Sequence, residues 1–279
     1  MMKKTILKTV ATLSLTLCAT YTNASERIIS AGSAVTEIIF ALEQQDKLVA
    51  VDVTSALPKD LELPKIGYHR RLSAEGLLAL GANRLIGSDE MGPDTTLAQL
   101  KSAGVKVDVV NTKATPMGLL ERIDEIALIT GADQQAEKLK RQVNQQIETL
   151  EANQPEVGKK VLFLLIHEGR PANVAGKDTT PNAIIELAGG INPAAEQLTS
   201  YKPMSTEAMV EMQPDVILVS GRSYDKMGGA EQILSKMPLL AATPAGKNKR
   251  IIKVDGHALV GGLGLKSLSE AERLSKLLN

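Results

Sequence analysis

Short apolar runs alternate with stretches in which apolar residues recur every three or four positions, and the alternation holds over most of the chain. This is the pattern of parallel α/β layers, where a strand buried on both faces reads as a continuous aliphatic run. Arg27–Ser30, Leu48–Val51, Arg84–Gly87 and Val105–Val110 are expected to be strands, with helices at Val35–Leu42, Ser73–Leu80 and Asp94–Ala103. The rhythm changes after Asn111. From Pro116 to Asn153 the chain is helical in character and broken once, at Gly131-Ala132-Asp133, where Asp133 is placed to cap the second segment. That segment carries Ala136, Leu139, Val143, Ile147 and Leu150 at helical spacing, a long amphipathic helix that Pro155 and Gly158 end. Strands are expected again at Val161–Ile166, Val216–Ser220 and Arg250–Val254.

The helical stretch divides the chain into an amino-terminal α/β lobe (residues 25–115), a connecting segment (116–155) and a carboxy-terminal α/β lobe (156–279). A repeated unit supports two related lobes. Ser73-Ala74-Glu75 and Ser205-Thr206-Glu207 each open a helix that leads to a strand, and Glu75 stands as far from Ser88 as Glu207 does from Ser220. Two facing α/β lobes bring strand C-termini together around a cleft, the usual place for a ligand.

The first 24 residues read as a secretory signal peptide. Lys3, Lys4 and Lys8 precede an apolar run from Thr9 to Ala19, and Thr22-Asn23-Ala24 supplies a small-x-small cleavage site. That run is too short to span a membrane, as is every later one. Leu17 before Cys18 departs from a lipoprotein site, so no lipid anchor is expected, and removal of the leader takes away the only Cys. With it go disulfide, thiol and zinc–thiolate chemistry. The 32 basic residues match the 32 acidic ones and fall to 29 in the mature chain, without a Lys/Arg block, which argues against phosphate-driven binding of nucleic acid. Aromatic residues are only 2%, so a ligand pocket must be walled mainly by aliphatic side chains and Met.

Enzyme signatures are sparse. Gly261-Gly262-Leu263-Gly264-Leu265-Lys266-Ser267 approaches a P-loop but has Leu265 where Gly is required, and it reads as a loop entering the last helix. The three His residues, His69, His167 and His257, show no paired helical spacing. The informative segment is Gly67-Tyr68-His69-Arg70-Arg71-Leu72-Ser73-Ala74-Glu75. Gly67 permits a tight turn, Tyr68 to Arg71 form a cationic loop, and Ser73 caps a helix with Glu75 in its first turn. A guanidinium or a ferric ion favours the phenolate of Tyr68, a hard anionic ligand for Fe(III). A loop tyrosine bonded locally among solvated arginines is the alternative.

Gly67-Tyr68-His69-Arg70, with Leu72-Ser73-Ala74-Glu75-Gly76, Gly189-Gly190-Ile191-Asn192, Ser205-Thr206-Glu207 and Gln213-Pro214-Asp215-Val216-Ile217-Leu218, resembles the periplasmic haem-binding proteins of bacterial haem ABC importers, the HmuT type. The likeness runs from about Arg27 to the end. Its two lobes, rigid helix and paired Ser-x-Glu helix starts are common to relatives that bind cobalamin and siderophores, whereas the Gly-Tyr-x-Arg loop belongs to the haem binders. The resemblance implies that Tyr68 is the axial iron ligand, that Arg70 assists it, and that Glu75 and Glu207 dock on the two subunits of an inner-membrane permease served by an ATPase. His69 takes no role from it.

His167, after the apolar run Val161–Ile166, is placed to face Tyr68 from the other lobe as a second iron ligand; Glu168 beside it favours a charged rim residue instead. Met204 is a candidate wall for a porphyrin face. Arg71 and Arg222, the latter near Tyr224, are candidates for haem propionates or for solvated loops, and His257 is left open. The reading is a periplasmic substrate-binding protein for haem, exported by a cleavable signal peptide and without chemistry of its own. Its rivals are the same fold binding a corrinoid or ferric siderophore, and an exported metal-dependent enzyme using His69, His167 and acids such as Asp89.

Overall fold

The computed structural model describes residues 26–278, so the expected signal peptide lies outside the described residues. The amino-terminal half contains β1 (Ile28–Ala31), α1 (Ser33–Ala41), β2 (Leu48–Val51), α2 (Ala74–Ala79), β3 (Arg84–Ser88), α3 (Asp94–Ser102) and β4 (Lys106–Val110). Its four strands are parallel, in the order β2-β1-β3-β4. Two helices follow, α4 (Pro116–Thr130) and α5 (Asp133–Ala152). The second half runs β5 (Val161–Leu165), β6 (Asn173–Ala175), α6 (Thr180–Leu187), β7 (Tyr201–Pro203), α7 (Thr206–Glu211), β8 (Val216–Ser220), α8 (Gly221–Met227), α9 (Ala230–Lys236), α10 (Pro244–Lys247), β9 (Ile251–Val254) and α11 (Leu265–Leu278). Its sheet has the order β7-β6-β5-β8-β9, with β5, β8 and β9 parallel and β6 antiparallel to both of its neighbours. Two lobes of α/β layers joined through helices are therefore the architecture.

Two features depart from the expectation. The strands β6 and β7 were not anticipated, because three residues are too few for a period, and Lys202 and Pro203 read as a loop. An edge strand tolerates that proline, since its missing N–H faces no partner. Nor does Asp133 cap α5: it is the first helical residue, Ala132 holds the cap position, and no side chain bonds there. Its acid acts on the helix dipole instead. Gly131 ends α4 in the left-handed region at φ 72°, which lets α5 fold back against α4.

The repeated unit keeps one spacing throughout. Ser73 and Ser205 cap six-residue helices, accepting the N–H of Gly76 at 3.4 Å and of Ala208 at 3.2 Å. Each boundary of the second copy falls 132 positions after its counterpart, from Ser73 to Ser205, Arg84 to Val216 and Ser88 to Ser220.

The core crosses both halves. Ile28 and Ile86 of the first sheet and Ile38 of α1 join Leu119 and Ile126 of α4, Phe163 and Leu218 of the second sheet, and Leu268 and Leu274 of α11 in one buried cluster. α5 contributes Ala136, Leu139, Val143, Ile147 and Leu150, and its four larger side chains each add about 1.5–3 kcal/mol by leaving water. α11 packs on α1 as well as on α5 and α6. Two ionisable groups, buried Arg122 and half-buried Glu37, pin that junction. Arg122 of α4 donates to the carbonyls of Asn111, Lys113 and Leu263, at 2.6, 3.2 and 2.9 Å. Glu37 of α1 accepts the N–H groups of Leu265 and Lys266, at 2.6 and 3.1 Å. A Cβ on Gly264 would lie 2.1 Å from the Glu37 carboxylate. The glycine-rich run before α11 thus makes room for a carboxylate of the same chain.

Candidate ligand-binding cleft

Several candidates lie past the C-terminal ends of strands, His167 after β5 and Arg222 after β8, where an open α/β sheet leaves its crevice. In the first lobe the loop begins at Gly67, which adopts φ +83°, and its carbonyl accepts the N–H of Val53 at 2.9 Å. Residues 69–71 then form one 3-10 turn, closed by the N–H of Arg71 on the Tyr68 carbonyl at 2.7 Å. The tight turn leaves one of two touching rings at the surface and buries the other. Tyr68 is 41% exposed and His69 is 1% exposed, with ring centroids 4.4 Å apart.

His69 is anchored from below. Its Nδ1 lies 2.9 Å from Oδ2 of fully buried Asp52, which also accepts the hydroxyls of Ser55 and Thr54, each at 2.7 Å. Nε2 is buried without a hydrogen-bond partner and faces the Glu90 carboxylate at 3.7 Å. Glu90 in turn pairs with the Arg70 guanidinium. An imidazole held by carboxylates on both sides favours its charged form. Burial opposes that charge, but Asp52 and Glu90 outweigh it and lift the His69 pKa above its usual 6.5. Burial would likewise raise Asp52, yet the hydrogen bonds from His69, Ser55 and Thr54 hold it below 3.8. Glu90 is lowered first by His69, against burial, and then by Arg70.

In the second lobe His167 follows β5 and is exposed. With Met204, Arg170, Met237 and Glu207 it lines a pocket of about 400 Å³. The neighbouring Glu168 pairs with Lys236 at 3.7 Å, so it is not committed to His167. Arg222 is exposed in the first turn of α8, past the end of β8, and Arg71 is exposed beside Arg70. Tyr224 packs on the second-lobe core. Glu75 and Glu207 are exposed at matching positions of α2 and α7.

One side chain bonds from the second lobe to the first, and a second lies near it electrostatically. His257 Nδ1 lies 2.5 Å from the carbonyl oxygen of Thr54, the residue whose hydroxyl holds Asp52. Tyr201 of β7 turns its ring toward Phe163, with centroids 6.4 Å apart. Its phenol is pushed up, first by desolvation and then by the charge of Glu90, against the effect of Arg70. The second lobe therefore comes within electrostatic reach of the Arg70–Glu90 pair.

Sequence reasoning overlooked Asp52, Glu90 and Tyr201. Asp52 directly follows β2 and Glu90 stands two residues past β3, so acids at strand ends were a usable signal. Tyr201 gave none beyond being one of four tyrosines. Among the described residues no three His, Cys, Asp or Glu side chains are grouped to hold a metal ion, and no helix is long and apolar enough to cross a membrane.

Comparison with known proteins places this arrangement. The periplasmic heme-binding protein HutB of Vibrio cholerae is 63% identical, with a TM-score of 0.88 over 91% of this chain and 99% of that one. The periplasmic heme-binding protein BhuT, in complex with two hemes, is 33% identical, with a TM-score of 0.82 over 91% and 99% of the two chains. A vitamin B12-binding protein of Vibrio parahaemolyticus is 27% identical over 77% of this chain and 78% of its own length. The family model described as periplasmic binding protein matches residues 28–258. With two α/β lobes joined through helices and this match over most of its length, the chain belongs to the periplasmic binding protein family.

Proposed function

We propose that this protein captures ferric haem in the cleft and delivers it, unchanged, to an inner-membrane ABC importer, after export by a cleavable signal peptide. The observation that carries the reading is 63% identity to a haem-binding protein along almost the whole of both chains. The relatives that bind vitamin B12 share far less.

The residues suit the cargo. Tyr68 offers an exposed phenol on a loop fixed by the His69–Asp52 pair, and as phenolate it is a hard ligand for Fe(III). Arg70 supplies the adjacent positive charge. His167 offers an imidazole from the second lobe, Met204 an apolar wall beside it, and Arg71 and Arg222 cations for the propionates. Glu75 and Glu207 stand as exposed docking charges, one on each lobe, for the permease and its ATPase partner.

Titration with ferric haem tests this. Wild-type protein should give a saturable, shifted Soret band. Tyr68→Phe should fold normally, lose the phenolate–iron charge-transfer bands and bind at least about tenfold more weakly, ~1.4 kcal/mol. Identical spectra and affinity for the two proteins would remove Tyr68 as ligand.

A further inference from the structure

Arg70 stands between two possible anions. Its guanidinium is held by Glu90, and Tyr68, two positions before it, becomes anionic when its phenol gives its proton to water and the oxygen bonds to iron. We propose that Glu90 tempers haem affinity: it holds Arg70 in the empty protein and competes with the iron-bound phenolate oxygen of Tyr68 for that guanidinium. The proposal rests on the haem reading above.

Three observations support it. The side chain of Glu90 is 32% exposed and that of Arg70 52% exposed, so neither is locked in place by packing. Glu90 also has a second partner within reach. Buried Nε2 of His69 makes no hydrogen bond and faces the same carboxylate at 3.7 Å. A small shift of Glu90 lets its Oε2 satisfy that buried atom, which is unfavourable to leave unpaired, so the carboxylate keeps a partner when Arg70 leaves its Oε1 for Tyr68. The pair also lies on the side of the first lobe that meets the second, since His69, which faces Glu90, is held by Asp52, and Thr54 on Asp52 is met by His257 of the second lobe. A carrier that must surrender its cargo gains from an anion that weakens the grip of its own ligand.

The test uses Glu90→Gln, which keeps the size and removes the charge, with thermal melting as the check on folding. Ferric haem titration and transfer to apomyoglobin are measured in wild type, in Glu90→Gln, and in both Arg70→Gln and the double variant. Glu90→Gln should bind haem about twofold to fivefold more tightly, the range of a half-exposed ion pair, release it correspondingly more slowly and shift the phenolate–iron charge-transfer band. In the Arg70→Gln background the same change should have little effect. Weaker or unchanged binding in Glu90→Gln overturns the proposal, as does an equal gain without Arg70. A wild-type protein that shows no Soret shift sinks the haem reading itself, whereas normal wild-type binding with a silent Glu90→Gln sinks only the tempering role.

Discussion

The carboxylate of Glu37 accepts the main-chain N–H of Leu265 at 2.6 Å, so the first helix of the chain caps the last one. Two backbone donors favour its charged form, but burial outweighs them and its pKa is pushed up to about 7 from the usual 4.5. The folded protein therefore binds a proton that the unfolded chain has already lost between those two values.

Stability should accordingly fall as pH rises from 4.5 to above 7, by an amount on the order of 3 kcal/mol from this group. Denaturant unfolding at pH 5 and pH 8 measures it. Glu37→Gln should flatten the dependence, and a slope that survives the substitution would assign it to other groups.

The buried Asp52–His69 pair should work in its own pH window. Asp52 is depressed, so its contribution is present above 3.8 and is lost as pH falls through its folded value. His69 is raised, so its contribution is full below 6.5 and disappears as pH rises through its folded value. Asp52→Asn should destabilise the protein by about 3–5 kcal/mol, because it leaves a buried imidazolium without its counter-ion. A melting temperature unchanged at pH 5.5 would contradict this account.

His167→Ala separates two haem geometries. If Tyr68 and His167 bind opposite faces of one iron, the variant should give a five-coordinate single haem. If each holds its own haem, in the two-haem manner of BhuT, the variant should lose one equivalent. Stoichiometric titration with spectra reads both, and an unaltered spectrum and equivalence would leave His167 as a rim residue.

Glu75→Lys should abolish haem transport in cells while leaving haem binding intact; Glu207→Lys should abolish it too, with haem affinity read alongside because Glu207 lines the His167 pocket. The competing account gives these acids only a helix-dipole role worth about 0.3–1 kcal/mol each. That account requires a slightly lower melting temperature and normal uptake.

Strong period made most of the fold legible. β2 and β8 fall where the aliphatic runs placed them, and the buried face of α5 is the set Ala136 to Leu150 that its spacing picks out. Short or polar strands such as β7 were not legible, because Tyr201-Lys202-Pro203 owes its conformation to neighbouring β6. In the site, Gly67 and Tyr68 stood out locally through turn chemistry. The role of His69 could not, since its partners Asp52 and Glu90 lie 17 and 21 positions away on other strand ends.

The buried cluster that runs from β1 through α4 and α5 to α11 joins the two lobes through one shared core. A clamshell carrier announces its load by changing the spacing of its jaws. Here Glu75 and Glu207 are mounted on a frame of one piece, closer to the marks on a ruler than to the tips of a caliper. If that shared core holds the lobes at one spacing, a surface meeting both acids meets them at one distance, full or empty. Discrimination of the loaded form then falls to what protrudes from the cleft, the cargo's own edge and the loops that grip it.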